Sequence, residues 1–118
     1  MSGSARTTNF EVARTVSAGS DNATCAKASS ATLHGIIASN ANAGARYLKI
    51  YDLAVAPTVG TSPIALTIYL APTSTTTISL HGGIRLSTGL AWAMTTEATD
   101  AGVTGVSANE HIVHLLYT

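Results

Sequence analysis

The stretch Pro63-Ile64-Ala65-Leu66-Thr67-Ile68-Tyr69-Leu70 places a large aliphatic at every second position. Successive side chains of a strand point to opposite faces, so Ile64, Leu66, Ile68 and Leu70 line one face of a half-buried strand. The same period of two recurs along the chain. Leu48 and Ile50 share a face, with Lys49 between them on the other. Leu90, Trp92 and Met94 alternate with Ala91 and Ala93, and Phe10, Val12 and Val16 alternate with Glu11, Ala13 and Thr15. At the C-terminus His111, Val113, Leu115 and Tyr117 alternate with Ile112, His114 and Leu116. Both faces of that last segment are partly apolar, which suits an interior strand or one covered by another subunit.

Breakers separate these runs. Residues 56–63 hold two prolines and a glycine, which excludes helix there. Ala71-Pro72-Thr73-Ser74 closes the preceding strand, and His81-Gly82-Gly83 reads as a turn after Thr77-Ile78-Ser79-Leu80. Thr32 to Ala38 reads as a strand with a bulge at Gly35. Residues 95–109 form a longer polar stretch interrupted by a short strand at Val103 to Val106. Thr24 to Ala31 lacks the bulk to fill a core, and an alanine-rich helix over residues 23–31 stays open beside irregular structure. Seven or eight short strands with turn signals between them predict an all-β fold, a single antiparallel β-sandwich of jelly-roll-like form. Residues 1–20 are expected to be an extended N-terminal arm or first strand, and residues 21–118 the sandwich.

Composition narrows the function. The 118 residues carry six basic and six acidic side chains, so net charge is zero and charged residues make only 10%, against about 25% in ordinary domains. No basic footprint for nucleic acid exists. No apolar run is long enough to span a bilayer, so no membrane partner is expected. Alanine, threonine and serine occur 20, 18 and 12 times, which is 50 of 118 positions. So few charges fit a surface that copies or partners cover.

The chemistry-bearing residues form no constellation. His111 and His114 are three apart, which on a strand sends them to opposite faces and makes a poor metal pair; His34 and His81 could join them only through tertiary contacts. Cys25 stands alone, with Lys27 two residues on, and reads as a half-buried thiol. No nucleophile elbow and no phosphate loop occur. The six carboxylates are isolated in sequence, and Glu97 and Asp100 sit in a polar loop. Asn22-Ala23-Thr24 matches a glycosylation acceptor, but residues 1–6 lack the apolar core of a secretory signal, so the match reads as accidental. Tyr47 and Tyr51 are four apart and share a face about Lys49. Either they form a sugar- or partner-binding surface, or they cap the sheet beside a neighbouring subunit. Trp92, beside Leu90 and Met94, reads as core. No catalytic residue, cofactor or metal is expected.

Two stretches carry a resemblance. Arg46-Tyr47-Leu48-Lys49-Ile50-Tyr51-Asp52, Pro57-Thr58-Val59-Gly60-Thr61-Ser62-Pro63 and Thr67-Ile68-Tyr69-Leu70-Ala71-Pro72 form one pattern. Gly83-Ile84-Arg85-Leu86-Ser87-Thr88-Gly89-Leu90-Ala91-Trp92-Ala93-Met94-Thr95, followed by residues 100–106, forms the other. Over residues 45–106 this order resembles short virion structural proteins of tailed bacteriophages. The resemblance implies a non-enzymatic β-sandwich subunit that works by assembly in the virion, made in the host cytoplasm. The leading expectation is a capsid decoration (cement) protein, a homo-oligomer, as a trimer, that binds the major capsid protein or other virion proteins. Phe10, Arg14, Tyr47 and Tyr51 are its expected interface residues, and an arm over residues 2–17 is expected to reach a neighbour. A tail, neck or baseplate component is the alternative within this class. A carbohydrate-binding module using Tyr47, Tyr51 or Trp92 is the alternative outside it.

Overall fold

The computed structural model of the protein describes residues 10–118. Eight strands follow one another: β1 (Glu11–Val16), β2 (Thr24–Lys27), β3 (Ala31–Asn40), β4 (Arg46–Tyr51), β5 (Leu66–Leu70), β6 (Ser74–Leu86), β7 (Leu90–Thr95) and β8 (His111–Tyr117). They form two four-stranded antiparallel sheets, sheet A in the order β1-β8-β3-β6 and sheet B in the order β2-β7-β4-β5. The pairs β1·β8, β2·β7, β3·β6 and β4·β5 nest one inside the next, as in a single long hairpin wound across two sheets. The all-β sandwich expected from the alternation is the observed architecture.

The alternating aliphatics meet between the sheets. Leu33, Ile36, Ala38, Leu86, Val113 and Leu115 from sheet A pack against Leu48, Ile50, Ile68, Leu70, Leu90, Trp92 and Met94 from sheet B. Trp92 is buried there, as its neighbours suggested. Burial of a large aliphatic in such a layer stabilises the fold by about 1.5–3 kcal/mol, so this layer dominates the energetics.

Several boundaries differ from the sequence reading. Of the two alternatives for residues 1–20, residues 11–16 take the first strand, β1, paired throughout with β8, and not an arm that crosses to a neighbour; residues 2–9 of the expected arm lie outside the described residues. β1 also turns its apolar side outward. Ala13 and Thr15 stand opposite Leu115 and Val113 on the core side, which leaves Val12, Arg14 and Val16 on the outer face. Thr24–Lys27 is neither helix nor irregular but a short edge strand on β7. His81-Gly82-Gly83 does not turn the chain. β6 runs through it as a bulge: Leu33 pairs with Ile84 and Gly35 with Ser79, so residues 80–83 stand opposite His34 alone. Gly82 and Gly83 take φ of 83° and 81°, a conformation that glycine adopts without a Cβ penalty, and a Cβ on Gly83 would strike Thr32 Cγ2. The register break in β3 falls at Leu33–Gly35, at the expected bulge. Residues 103–106 form no strand, because scattered partners take their backbone groups: Glu97 Oε1 accepts the Thr104 N–H at 3.0 Å, Thr96 N–H donates to Thr104 O at 3.0 Å, and Val106 N–H donates to Ser20 O at 2.9 Å. Ile64 precedes β5 and packs on the far side of sheet B.

One end of the sandwich is closed by buried polar groups. The Asn40 side-chain amide donates to the carbonyls of Gly44, Leu70 and Ala71 at 3.0–3.2 Å. Its Oδ1 accepts the Asn42 N–H at 2.9 Å. Glu110 accepts from Asn42, from Arg46 Nε at 3.1 Å and sits 2.7 Å from His111 Nε2. Ser17 Oγ accepts the N–H groups of Glu110 and His111, both at 3.0 Å. Burial alone would push the Glu110 carboxyl up, but hydrogen bonds from His111 and Asn42 and the Arg46 charge outweigh it and hold it below its usual range. Asn40→Ala removes the side-chain donor to the Gly44 and Leu70 carbonyls and the acceptor of the Asn42 N–H, leaving Ala71 O to the Ser74 hydroxyl alone, and should cost about 1–3 kcal/mol of stability; urea unfolding of the two proteins measures it, and an unchanged midpoint contradicts the assignment.

Candidate docking surface

The two outward sheet faces are treated oppositely. Tyr47, Lys49 and Tyr51 do share the outer face of sheet B, with Ala91, Ala93 and Thr95 of β7 beside them. The links around that sheet fold over it. Leu53, Val59 and Ile64 from residues 52–65, with Ala23 and Cys25, pack on Tyr51, Ala91 and Ala93. From the other side, Lys49 Nζ donates to Thr99 O at 2.7 Å. The alanines of β7 are what let these links lie close. Tyr51 is therefore 0% exposed, which removes it from any surface shared with Tyr47 and corrects the expected interface set. Tyr47 remains half-buried and tilts against Tyr69 of β5, with ring centroids 5.8 Å apart.

The covered face holds two buried polar groups. Burial pushes the Lys49 ammonium below its ordinary range, against opposing pulls from Glu97 and Asp100. Burial, with the negative charges of Asp21 and Asp100, pushes the Tyr51 phenol up, and its hydroxyl has no hydrogen-bond partner.

Among the described residues, nothing folds over the outer face of sheet A. Pairing aligns its side chains in three rows running from β1 to β6: Val16, Ile112, Ser39 and Thr75; Arg14, His114, Ile37 and Thr77; Val12, Leu116, Gly35 and Ser79. Val12, Val16 and Ile37 are 55%, 41% and 38% exposed. Phe10, 46% exposed, stacks on His34 with ring centroids 4.5 Å apart, over a shallow cleft of about 210 Å³ lined by Gly35, Ile37, Ile78 and Leu116. Phe10 and Arg14, two of the expected interface residues, thus belong to one face. Val12, Val16 and Ile37 were not singled out in the sequence. The one signal for them was the two-sided apolar pattern of β8, which lies between β1 and β3.

The histidines are dispersed. His111 is buried beside Glu110, while His114, on the opposite face, sits 3.3 Å from Ile37 O. Among the described residues no three His, Cys, Asp or Glu side chains gather as metal ligands, and no helix is long and apolar enough to cross a membrane. Comparison with protein-family models finds no match, and searches of curated proteins and of solved structures find none either.

Two outcomes test the covered face. A base with a depressed pKa binds fewer protons folded than unfolded, so stability rises as pH climbs through the folded-state value toward the ordinary lysine range. Lys49→Met should abolish that alkaline rise; unfolding midpoints of both proteins from pH 8 upward check it, and a rise retained in the variant refutes it. Tyr51→Phe removes a buried hydroxyl that bonds to nothing and should leave stability equal or up to about 2 kcal/mol higher. A lower urea midpoint for Tyr51→Phe refutes the unpartnered assignment.

Proposed function

We propose that this protein is a non-enzymatic structural component of a phage virion, a capsid decoration (cement) protein that stabilises the head shell through subunit contacts. The observation that carries this reading is the outer face of sheet A, over which nothing folds among the described residues and on which Phe10, Val12, Val16 and Ile37 are exposed around Arg14. Isolated surface aliphatics need no explanation, but four large exposed apolar residues on one face do. The strand order 1-8-3-6 and 2-7-4-5 reads as a jelly-roll winding, an architecture that viral capsid domains use. The resemblance of residues 45–106 to short virion proteins points the same way.

The mechanism needs no chemistry beyond burial. The face of sheet A seats on the major capsid protein, and small gains per copy multiply over the shell. The low charge of the chain fits that role, because few ion pairs must be stripped of water on docking.

Mass spectrometry of purified particles tests the reading. We expect this chain in copy numbers comparable to those of the major capsid protein, and heads lacking it should release their DNA at lower temperature. Absence from particles overturns the proposal, and a low copy number confined to tails favours the tail, neck or baseplate alternative. Tyr69, 54% exposed and tilted against the half-buried Tyr47, supports the carbohydrate-binding alternative, which a glycan array with hits abolished by Tyr69→Ala would establish instead.

A further inference from the structure

Sheet A ends on β1, and no described strand pairs with its outer edge. The two edges of sheet B are blunted: β2 has four residues and a register break, and β5 has five and is followed by Pro72. At the far edge of sheet A, β6 is interrupted at Gly82-Gly83, and its unbroken run Ser74–Ser79 puts only the hydroxyl side chains of Thr75, Thr77 and Ser79 on the outer face. β1 has six residues in unbroken register, with no proline and no bulge. An edge of this kind offers a full row of unpaired backbone groups to another extended strand.

The side on offer follows from one hydrogen bond. The Ser17 N–H donates to His111 O at 2.9 Å, so it points toward β8. Alternation turns the backbone groups of Thr15, Ala13 and Glu11 the same way and those of Val12, Arg14 and Val16 outward. The side chains of these last three also lie on the open apolar face. We propose that β1 pairs antiparallel with β1 of a second copy about a twofold axis through Ala13, so that two copies of sheet A merge into one eight-stranded sheet.

Self-pairing restricts the register. Facing residues must lie on one face and present their backbone groups to each other, which requires an axis passing through a residue rather than between two. An axis through Arg14 sets two guanidinium groups opposite each other, and like charges in that position are destabilising. An axis through Val12 sets Arg14 against the partner's Phe10 and aligns residues 10–14 of the described chain, whereas an axis through Ala13 aligns residues 10–16. The axis through Ala13 faces Phe10 with the partner's Val16 and Val12 with the aliphatic stem of the partner's Arg14. Each contact occurs twice, and an aromatic against a β-branched side chain is a favourable cross-strand pair. The small Ala13 lies on the axis itself. The contact runs along the edge of sheet A and sets outer-face residues of the two copies side by side, and it does not depend on a virion role. A twofold contact closes with two copies, so it gives a dimer and not the trimer expected from the resemblance.

Light scattering of the purified full chain reads the oligomeric state, and we expect a dimer. Val12→Pro removes an N–H that no strand of its own chain uses, at an edge position where proline is tolerated. Two inter-copy bonds vanish per dimer, so the dissociation constant should rise about tenfold to a hundredfold while circular dichroism keeps its β-sheet signal. In a Cys25→Ser background, Ala13→Cys should oxidise to a covalent dimer and Arg14→Cys should not. That pair of variants decides the matter even if Val12→Pro fails to fold. A wild-type monomer at all concentrations, a trimer unaffected by Val12→Pro, or crosslinking through Arg14→Cys in preference to Ala13→Cys overturns the proposal. A full-length monomer that dimerises only after residues 1–9 are removed also overturns it, by assigning the edge to the chain's own N-terminus.

Discussion

The ladder between β1 and β8 pairs Glu11 with Tyr117 and Val16 with Ile112, and the rest of the fold is nested within it. Joining strands so distant in sequence closes nearly the whole chain, an entropic cost that no local contact offsets. The cost is met by the layer between the sheets, where β8 contributes Val113 and Leu115 and β7 contributes Trp92 and Met94. β8 also pairs with β3 on its other side, so a single strand holds the first and third strands in register. Its start is anchored by the Ser17, Glu110 and His111 hydrogen bonds, and this anchoring sets where the ladder begins.

That arrangement leaves two outer faces, and the difference between them gives the molecule its polarity. Sheet B carries alanine at positions 91 and 93, so links can lie directly on it and bury Tyr51 and Lys49. Asp52 fastens one of these links, accepting the Thr88 and Gly89 N–H groups at 2.8 and 3.2 Å. Those bonds hold its carboxyl below the ordinary range. Sheet A has no comparable cover among the described residues, although its outer rows carry valine, isoleucine and leucine. The scarcity of charge seen in composition is therefore not spread evenly in its consequences. On one side it permits close packing within the chain, and on the other it leaves a surface that water wets poorly.

Much of this was legible from period alone. Leu48 with Ile50, Ile68 with Leu70, Leu90 with Trp92 and Met94, and Val113 with Leu115 all face the core as alternation requires. The bulge near Gly35 was legible too, because a glycine inside an alternating run weakens the ladder there. Local signals failed where a tertiary partner outweighed them. Gly82-Gly83 looks like a turn, but β3 on one side keeps the strand running through it. Thr24 to Lys27 has no bulk of its own and becomes a strand because β7 offers it an edge. Lys49 reads as a solvated residue between two tyrosines, and only the loop reaching Thr99 over it makes it buried.

The order of amino acids by itself determined that this chain is built of antiparallel strands and which residues meet between the sheets. Side-chain parity along a strand is a local property, set by backbone geometry, and survives any arrangement of neighbours. It did not determine which outer face would be covered. Tyr47, Lys49 and Tyr51 and the set Val12, Arg14 and Val16 look alike as alternating mixed faces. Only the path of residues 52–65 and 96–105 over one sheet, and the edge position of β1 in the other, separates a second internal layer from an open surface. Burial depends on what lies opposite a face, and that is settled only when the whole chain is wound.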